Sequence, residues 1–374
     1  MPDVLDAPVT PESTRPRRTA KVAVLRTRPE TVLDDYARLM DLAGYRQSLS
    51  PDIDTLIKLN LSWTKYFPAC SSQPWQVDGV IRKMLADGYP RERLIPIENK
   101  TVVTNPREGC RNNRWEPILE RHGLTFTPLP EVEWRVYQFK SPLLKLNDIF
   151  PEGIQIPAMY PGRQILHLPT VKTHGHSTMT GSVKNAFGGL LREVRHYAHK
   201  YMHEVLVDLL YMQRELHPSV FTVMDGTIAG DGAGPRTMIP RVKNLILAAE
   251  DSVAIDAIAA RLMGYDPLSI PFLRMAHERG LGVADPREIE LVGDDVSREN
   301  FGFKTSRSLV VWGDQMIRKG FLRPFERILL HSPLVVWAPF ASNVYHDMMW
   351  YPTIGRSRIR GFMGTEWGPL FKQY

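Results

Sequence analysis

Short apolar runs, most of them separated by a helix-length segment, constrain the fold of this chain more than any other feature. The runs are Lys21–Leu25, Thr55–Leu59, Leu94–Ile97, Gln164–Leu168, Val220–Met224 and Leu245–Ala248. Runs of this length rich in Val, Ile and Leu read as strands buried on both faces. Helical patterns occupy Pro29–Ala43, Gln76–Asp87, Arg114–His122, Val183–Arg214 with a break, and Ser252–Met263. The alternation predicts an α/β fold: a doubly wound, mostly parallel sheet with crossover helices. Right-handed crossovers then align the strand C-termini on one edge, where open α/β sheets bind ligands.

Polar residues fall at or just after the ends of these runs: Lys58 and Asn60, Glu98 and Lys100, Lys172 and His174, Asp225, and Glu250 with Asp251. The stretch Gln164–Glu204 holds six of the 11 histidines. In it, RQILHLPTVKTHGHSTMTGSVKNAFGG places Lys172, His174 and His176 in a loop. Thr180 and Ser182 then stand near a predicted helix start, with Lys184 and Asn185 on that helix. Hydroxyl caps, free backbone N–H groups and lysines suit a phosphate or carboxylate. His174 is the candidate proton-transfer group, with Lys172 and Asp225 beside it. Lys58, Asn60, Thr180, Ser182, Lys184 and Asn185 are candidate substrate-binding residues.

Further on, HYAHKYMHE sets His196, His199 and His203 at helical spacing. Together with His176, His199 and His203 make a candidate site for a divalent metal. Asp225 opens a glycine-bearing segment, Gly226 to Gly234, that reads as a flexible loop. Neither a phosphate-cradling Gly/Lys motif nor a nucleophile elbow is present.

The domain reading is a disordered tail at 1–20, an α/β domain at 21–300 and a basic, aromatic, helical extension at 301–374. Within the α/β domain, helix Ile270–Arg279 and strand Glu288–Leu291 close the core. The extension carries 10 Lys/Arg against 4 Asp/Glu, the whole of the chain's net charge of +6, and 14 of the 35 aromatics. Its segment DQMIRKGFLRPFERILL groups Ile317, Phe321, Phe325, Ile328 and Leu329 near one helical face with arginines and Lys319 around them. That composition fits an anionic membrane surface, or packing onto the core or across a homodimer. Without a recognised binding module, nucleic acid is not expected. No apolar run reaches bilayer length, because Ile328–Phe340 is broken by His331, Ser332, Pro333 and Pro339. The expected location is cytoplasmic, with peripheral membrane contact through the extension.

The segments IKLN, LPTVKTHGHSTMTGSVKNAFG, VMDGTIAGDGAGP and ILAAEDSVAIDAIAARLMG resemble the family catalogued as domain of unknown function 362, over roughly residues 21–295. By matching position, the resemblance implies functional polar residues at Lys58, Asn60, Lys172, His174, Lys184, Asn185, Asp225, Asp251 and Asp256. Many members carry a ferredoxin-like segment with cysteine clusters. This chain has only Cys70 and Cys110, so no iron–sulfur cluster is expected on it alone. The functional expectation is an enzyme with Lys/His acid–base chemistry on an anionic small or lipid-linked substrate, with a metal as an added participant. The alternative is a ligand-binding, metal-binding or membrane-associated accessory protein that converts nothing.

Overall fold

A computed structural model describes residues 19–101, 103–192, 198–306, 312–313, 316–317 and 337–374. Residues 1–18 of the expected N-terminal tail, His196 and most of the amphipathic stretch Ile317–Leu329 lie outside these residues, while Ala20 already belongs to the first strand. In chain order the strands are β1 (Ala20–Arg26), β2 (Thr55–Lys58), β3 (Leu94–Glu98), β4 (Thr127–Pro128), β5 (Trp134–Tyr137), β6 (Ile154–Pro157), β7 (Gln164–His167), β8 (Thr170–His174), β9 (Thr178–Met179), β10 (Val220–Ala233), β11 (Thr237–Ala249) and β12 (Ile289–Gly293). The large sheet has the order β12-β1-β11-β10-β7-β2-β3-β4, with β8 joined to β10 and β9 to β8, while β5 and β6 pair separately. Most pairs in the sheet are parallel.

Alternation along the strands divides the core in two, because successive side chains leave a strand on opposite faces. Val22, Val24, Leu56, Ile165, Met224 and Leu247 face helices Ser182–Leu190, Met202–Leu216, Ser252–Met263 and Pro271–Glu278. Ala23, Leu25, Ile57, Leu166, Val223 and Ile246 face helices Val32–Leu42, Pro74–Ala86 and Glu116–His122. The sheet is therefore wound on both faces, as the apolar runs predict.

Four features differ from the sequence expectation. The glycine-bearing segment after Asp225 is strand, not loop. β10 continues to Ala233 because β11 runs antiparallel to it along that length, with a register shift between Gly226 and Ile228. The partner strand supplies the ladder hydrogen bonds, and glycine is needed for close approach. A Cβ on Gly230 would lie 2.3 Å from the Met238 sulfur.

As a second consequence, β11 runs opposite to its neighbours, so Glu250 and Asp251 lie at the far edge from Lys58 and Glu98. Asp251 caps helix Ser252–Met263, accepting from the N–H groups of Val253 and Ala254. Third, the region read as one broken helix is two, Ser182–Leu190 and Met202–Leu216, with a 3-10 turn at 198–201 before the second. Lys172 and His174 belong to β8 rather than to a loop.

The described C-terminal residues form helices Trp337–Asn343, Arg356–Met363 and Trp367–Gln373, with a π-helical segment at Val344–Gly355. Trp350, Phe362, Trp367 and Phe371 are buried on the second face of the sheet. Among the described residues, no helix is long and apolar enough to cross a membrane.

Candidate functional site

The chain order reverses at β2, which has β3 on one side and β7 on the other. After β2 the chain crosses on the face covered by Pro74–Ala86, whereas after β7 it crosses on the face covered by Ser182–Leu190. The crevice between the C-terminal ends of β2 and β7 is thus the topological switch point, the preferred ligand position in such sheets. Their last residues, Lys58 and His167, are register partners.

A buried polar network fills this point. Lys58, 1% exposed, donates from Nζ to Glu98 Oε1 at 2.7 Å and to the Leu59 carbonyl at 2.6 Å. Lys172, also 1% exposed, donates to Asn60 Oδ1, to the Cys70 carbonyl and to Thr170 Oγ1. Asn60 Nδ2 donates to Asn185 Oδ1 at 3.2 Å, and Asn185 Nδ2 donates to the Lys58 carbonyl at 3.1 Å. Three of the expected binding residues, Lys58, Asn60 and Asn185, therefore meet one of the expected catalytic residues, Lys172. Burial pushes the Lys172 amine down to about 8, against the opposing pull of Glu98 and with the repulsion of Lys58.

Helix Ser182–Leu190 closes over the network because its last turn carries two glycines. A Cβ on Gly188 would lie 3.4 Å from Lys58 Nζ, and one on Gly189 would lie 3.1 Å from Lys58 Cε and 2.8 Å from the Tyr160 hydroxyl. Glu98 Oε2 and the Tyr160 hydroxyl are buried with no hydrogen-bond partner among the described residues. Glu98, Tyr160, Thr170 and the glycine pair were not assigned to the site from sequence. The glycine pair following KNAF was the available signal, since paired glycines in a helix mark close approach.

The N-terminus of that helix is not open to a ligand. Asp256 accepts from the N–H groups of Ser182 and Val183 at 2.6 and 3.0 Å, and the Ser182 hydroxyl bonds to those of Thr222 and Ser252. Burial lifts the Asp256 carboxyl to about 8, against those two backbone hydrogen bonds. Thr180 is buried, with its hydroxyl near the carbonyls of Thr170 and Lys172. The expected anion cradle at Thr180–Ser182 is occupied by the protein's own carboxylate.

His174 is 5% exposed, and its Nδ1 accepts from the backbone N–H of His176 at 3.1 Å and lies 3.1 Å from the Ser177 hydroxyl. Backbone donors fix Nδ1 as an acceptor, so the neutral ring carries its proton on Nε2. Burial, followed by the charge of Lys184, holds its pKa well below the usual imidazole value. The ring is therefore an N–H donor rather than a base titrating near neutrality. Asp225 does not stand beside it: its carboxylate accepts from the Tyr36 hydroxyl at 2.6 Å, Trp75 Nε1 at 3.1 Å and Thr227. Burial raises Asp225 to about 6 against those hydrogen bonds.

The histidine candidates divide. His176 lies between His174 and His199, with ring centroids 5.8 and 5.2 Å away, and Lys184 stands over Phe187 beside them. His203 stacks instead on Phe272. The 3-10 turn before Met202 breaks the helical spacing that would align His199 with His203. Among the described residues no group of three or more His, Cys, Asp or Glu side chains is arranged to hold a metal ion.

The family described as domain of unknown function (DUF362) matches residues 55–261, more than half of the chain and all of the switch-point network. This chain belongs to the DUF362 family. The thylakoid-associated protein sll1697 of Synechocystis sp. is 31% identical to the DUF362 chain over 262 residues, covering 68% of this chain and 75% of the relative. No solved structure matches it. Within the matched region lie both lysines, both asparagines and the glycine pair, whereas β1, β12 and the C-terminal helices lie outside it.

Proposed function

We propose that this DUF362 protein binds an anionic small or lipid-linked molecule at the β2/β7 crevice and uses Lys172 for proton transfer. The observation that carries this reading is the charge of the network. Among the described residues, buried Lys172 donates to neutral acceptors, Asn60 Oδ1, the Cys70 carbonyl and Thr170 Oγ1, beside the strand ends where ligands enter. A buried cation held by neutral groups is costly, so its place at the switch point favours an anion. An amine with its pKa near 8 exchanges protons near neutrality far more readily than an ordinary lysine. His174 contributes an N–H donor.

The test is a thermal-shift screen of phosphorylated and carboxylated metabolites, followed by titration of any hit at several pH values. Because Lys172 is cationic below about 8, affinity is expected to fall as pH rises from about 7 to about 9. Lys172→Met should weaken binding by about tenfold or more and flatten that pH profile. A hit whose affinity is the same in the variant and across that range would remove Lys172 from the site.

A second reading, a membrane-associated accessory protein that binds without converting, has its own support. Phe340, Met348, Met349 and Ile354 are exposed beside exposed Arg356 and Arg360. Apolar side chains flanked by arginine suit an anionic lipid surface, and one relative is named for association with thylakoids. Co-sedimentation with phosphatidylglycerol vesicles is expected to fall severalfold in a Phe340→Ser/Met348→Ser/Met349→Ser variant; equal pelleting would exclude this face.

A further inference from the structure

The turn that joins β10 to β11 carries a cation whose hydrogen bonds are incomplete. The turn, residues 234–236, packs on the end of β8: the Gly175 N–H donates to the Gly234 carbonyl at 3.3 Å, and a Cβ on Gly234 would lie 1.8 Å from the Thr173 carbonyl oxygen. The next residue, Pro235, accepts from the Cys70 thiol at 3.1 Å, and the Cys70 carbonyl in turn accepts from Lys172. Arg236 follows directly, so its backbone is fixed through Cys70 to the strand that bears Lys172.

The Arg236 side chain reaches the C-terminal helices, where Nη2 donates to Ser342 Oγ at 3.0 Å. The other terminal nitrogen, Nη1, is buried and has no hydrogen-bond partner among the described residues. Asp347, the carboxylate whose charge reaches Arg236, is engaged elsewhere: it accepts from Trp63 Nε1 at 2.9 Å and pairs with Lys65 at 3.3 Å. Cys70 supplies no countercharge either, because burial pushes its thiol up to about 11 against the charges of Lys172 and Arg236.

An arginine keeps its charge inside a protein, and a charged donor that is buried without an acceptor is costly. Water satisfies the N–H groups but leaves the charge uncompensated. An oxyanion satisfies both, because the two terminal nitrogens of a guanidinium match two oxygens of a carboxylate or phosphate. The Ser342 hydroxyl, which accepts from Nη2, retains its own proton to donate. The neighbouring His346 adds no second cation: burial, followed by the charge of Arg236, brings its imidazole down to about 3.

We infer that Arg236 anchors a phosphate or carboxylate group through its Nη1/Nη2 edge, with Ser342 holding the guanidinium in place. The inference stands apart from the proposed role of Lys172, since the anion meets a different cation. Two sources carry the same chemistry, a soluble anion and a lipid headgroup. The second has a place here because the segment that bears Ser342 also exposes Phe340, Met348 and Met349.

The experiment is calorimetric titration of the full chain with inorganic phosphate and with citrate, at an ionic strength held constant with chloride. Sedimentation on phosphatidylglycerol against phosphatidylcholine vesicles runs beside it. Wild type is compared with Arg236→Gln, Arg236→Lys and Lys172→Met. Arg236→Gln is expected to weaken binding by about tenfold or more. Arg236→Lys keeps the charge but loses the fork, and should weaken it severalfold. Melting temperature adds a readout that a merely structural arginine would move the other way: without added phosphate or citrate, Arg236→Gln should melt no lower than wild type, because it removes an uncompensated buried charge. Soluble-anion binding that falls in the Arg236 variants supports the site with a soluble source. A preference for phosphatidylglycerol that falls in them, without soluble binding, supports it with a headgroup source. Binding lost in Lys172→Met but kept in Arg236→Gln, equal binding in all four proteins, no binding of any probe, or an Arg236→Gln protein that melts several degrees lower overturns the assignment.

Discussion

Glu98→Ala is expected to destabilise the protein by about 3–5 kcal/mol, because it removes one half of a buried ion pair. Lys58 Nζ bonds to the Glu98 carboxylate at 2.7 Å, and neither side chain is more than 3% exposed. Removing the carboxylate takes away an ion-pair partner 2.7 Å from Lys58 Nζ, in a position covered by Gly188 and Gly189. Two further variants separate charge from packing. Glu98→Gln keeps an oxygen at that position and should cost less than alanine. Lys58→Met with Glu98→Leu removes both charges and should recover much of the loss, since apolar replacement of a buried pair is often neutral. The measurement is the midpoint of urea denaturation across the set. An alanine variant within about 1 kcal/mol of wild type, typical of exposed pairs, would mean that water reaches this pair and that the network is not sealed.

Trp367→Ala should cost a similar amount, about 3–5 kcal/mol, by opening a cavity where the C-terminal helix meets the sheet. The Trp367 ring is fully buried, 4.8 Å from the Trp75 ring, and its Nε1 donates to Asn244 Oδ1 at 2.7 Å. Nearby, Phe371 stacks on Tyr66 at 4.0 Å and Trp350 lies 5.9 Å from Trp63. These aromatics hold the last described helices as one packed layer, so the variant should raise protease sensitivity in the segment 337–374 before the rest of the chain. Limited proteolysis with mass spectrometry reads this directly. An unchanged cleavage pattern together with an unchanged melting temperature would show that Trp367 contributes little to docking.

The sheet was legible because its parallel strands are continuous apolar runs, and such runs have few other uses in a chain this size. Val22, Leu56 and Ile165 on one face, and Ala23, Ile57 and Leu166 on the other, follow from strand periodicity alone. β10 beyond Asp225 was not legible, since its glycines look like a loop and only pairing with β11 reveals a strand. The direction of β11 was hidden too, because an apolar run does not say which way it runs. Helix Pro106–Asn112 was missed, although Asn105 and Pro106, a cap followed by a helix-starting proline, were the signal for it.

The site shows the same division. That Lys58, Asn60, Lys172 and Asn185 come together was legible because they follow strand ends or mark the helix that covers them. Ser182 was misread because the group that fills the helix N-terminus, Asp256, is 74 residues away in sequence. Asp225 was paired with His174 because both follow strand ends expected on one edge of the sheet, yet its carboxylate faces Tyr36 and Trp75. His174 was read as a neutral-range base because residue type says nothing about burial, and burial decides its protonation.

The position of β1 has a consequence for how the protein is made. It lies between β11 and β12, with Ala23 opposite both Ala248 and Val292. During synthesis this strand emerges long before either neighbour exists. At ordinary translation speeds of 5–20 residues per second, the separation of 225 residues between Ala23 and Ala248 corresponds to a wait of roughly 11–45 seconds. Over that interval both edges of β1 are unpaired, a state that invites association with other nascent chains. Folding should thus be completed late, and the yield of active protein should respond to translation rate and to holding chaperones more than its final stability would suggest.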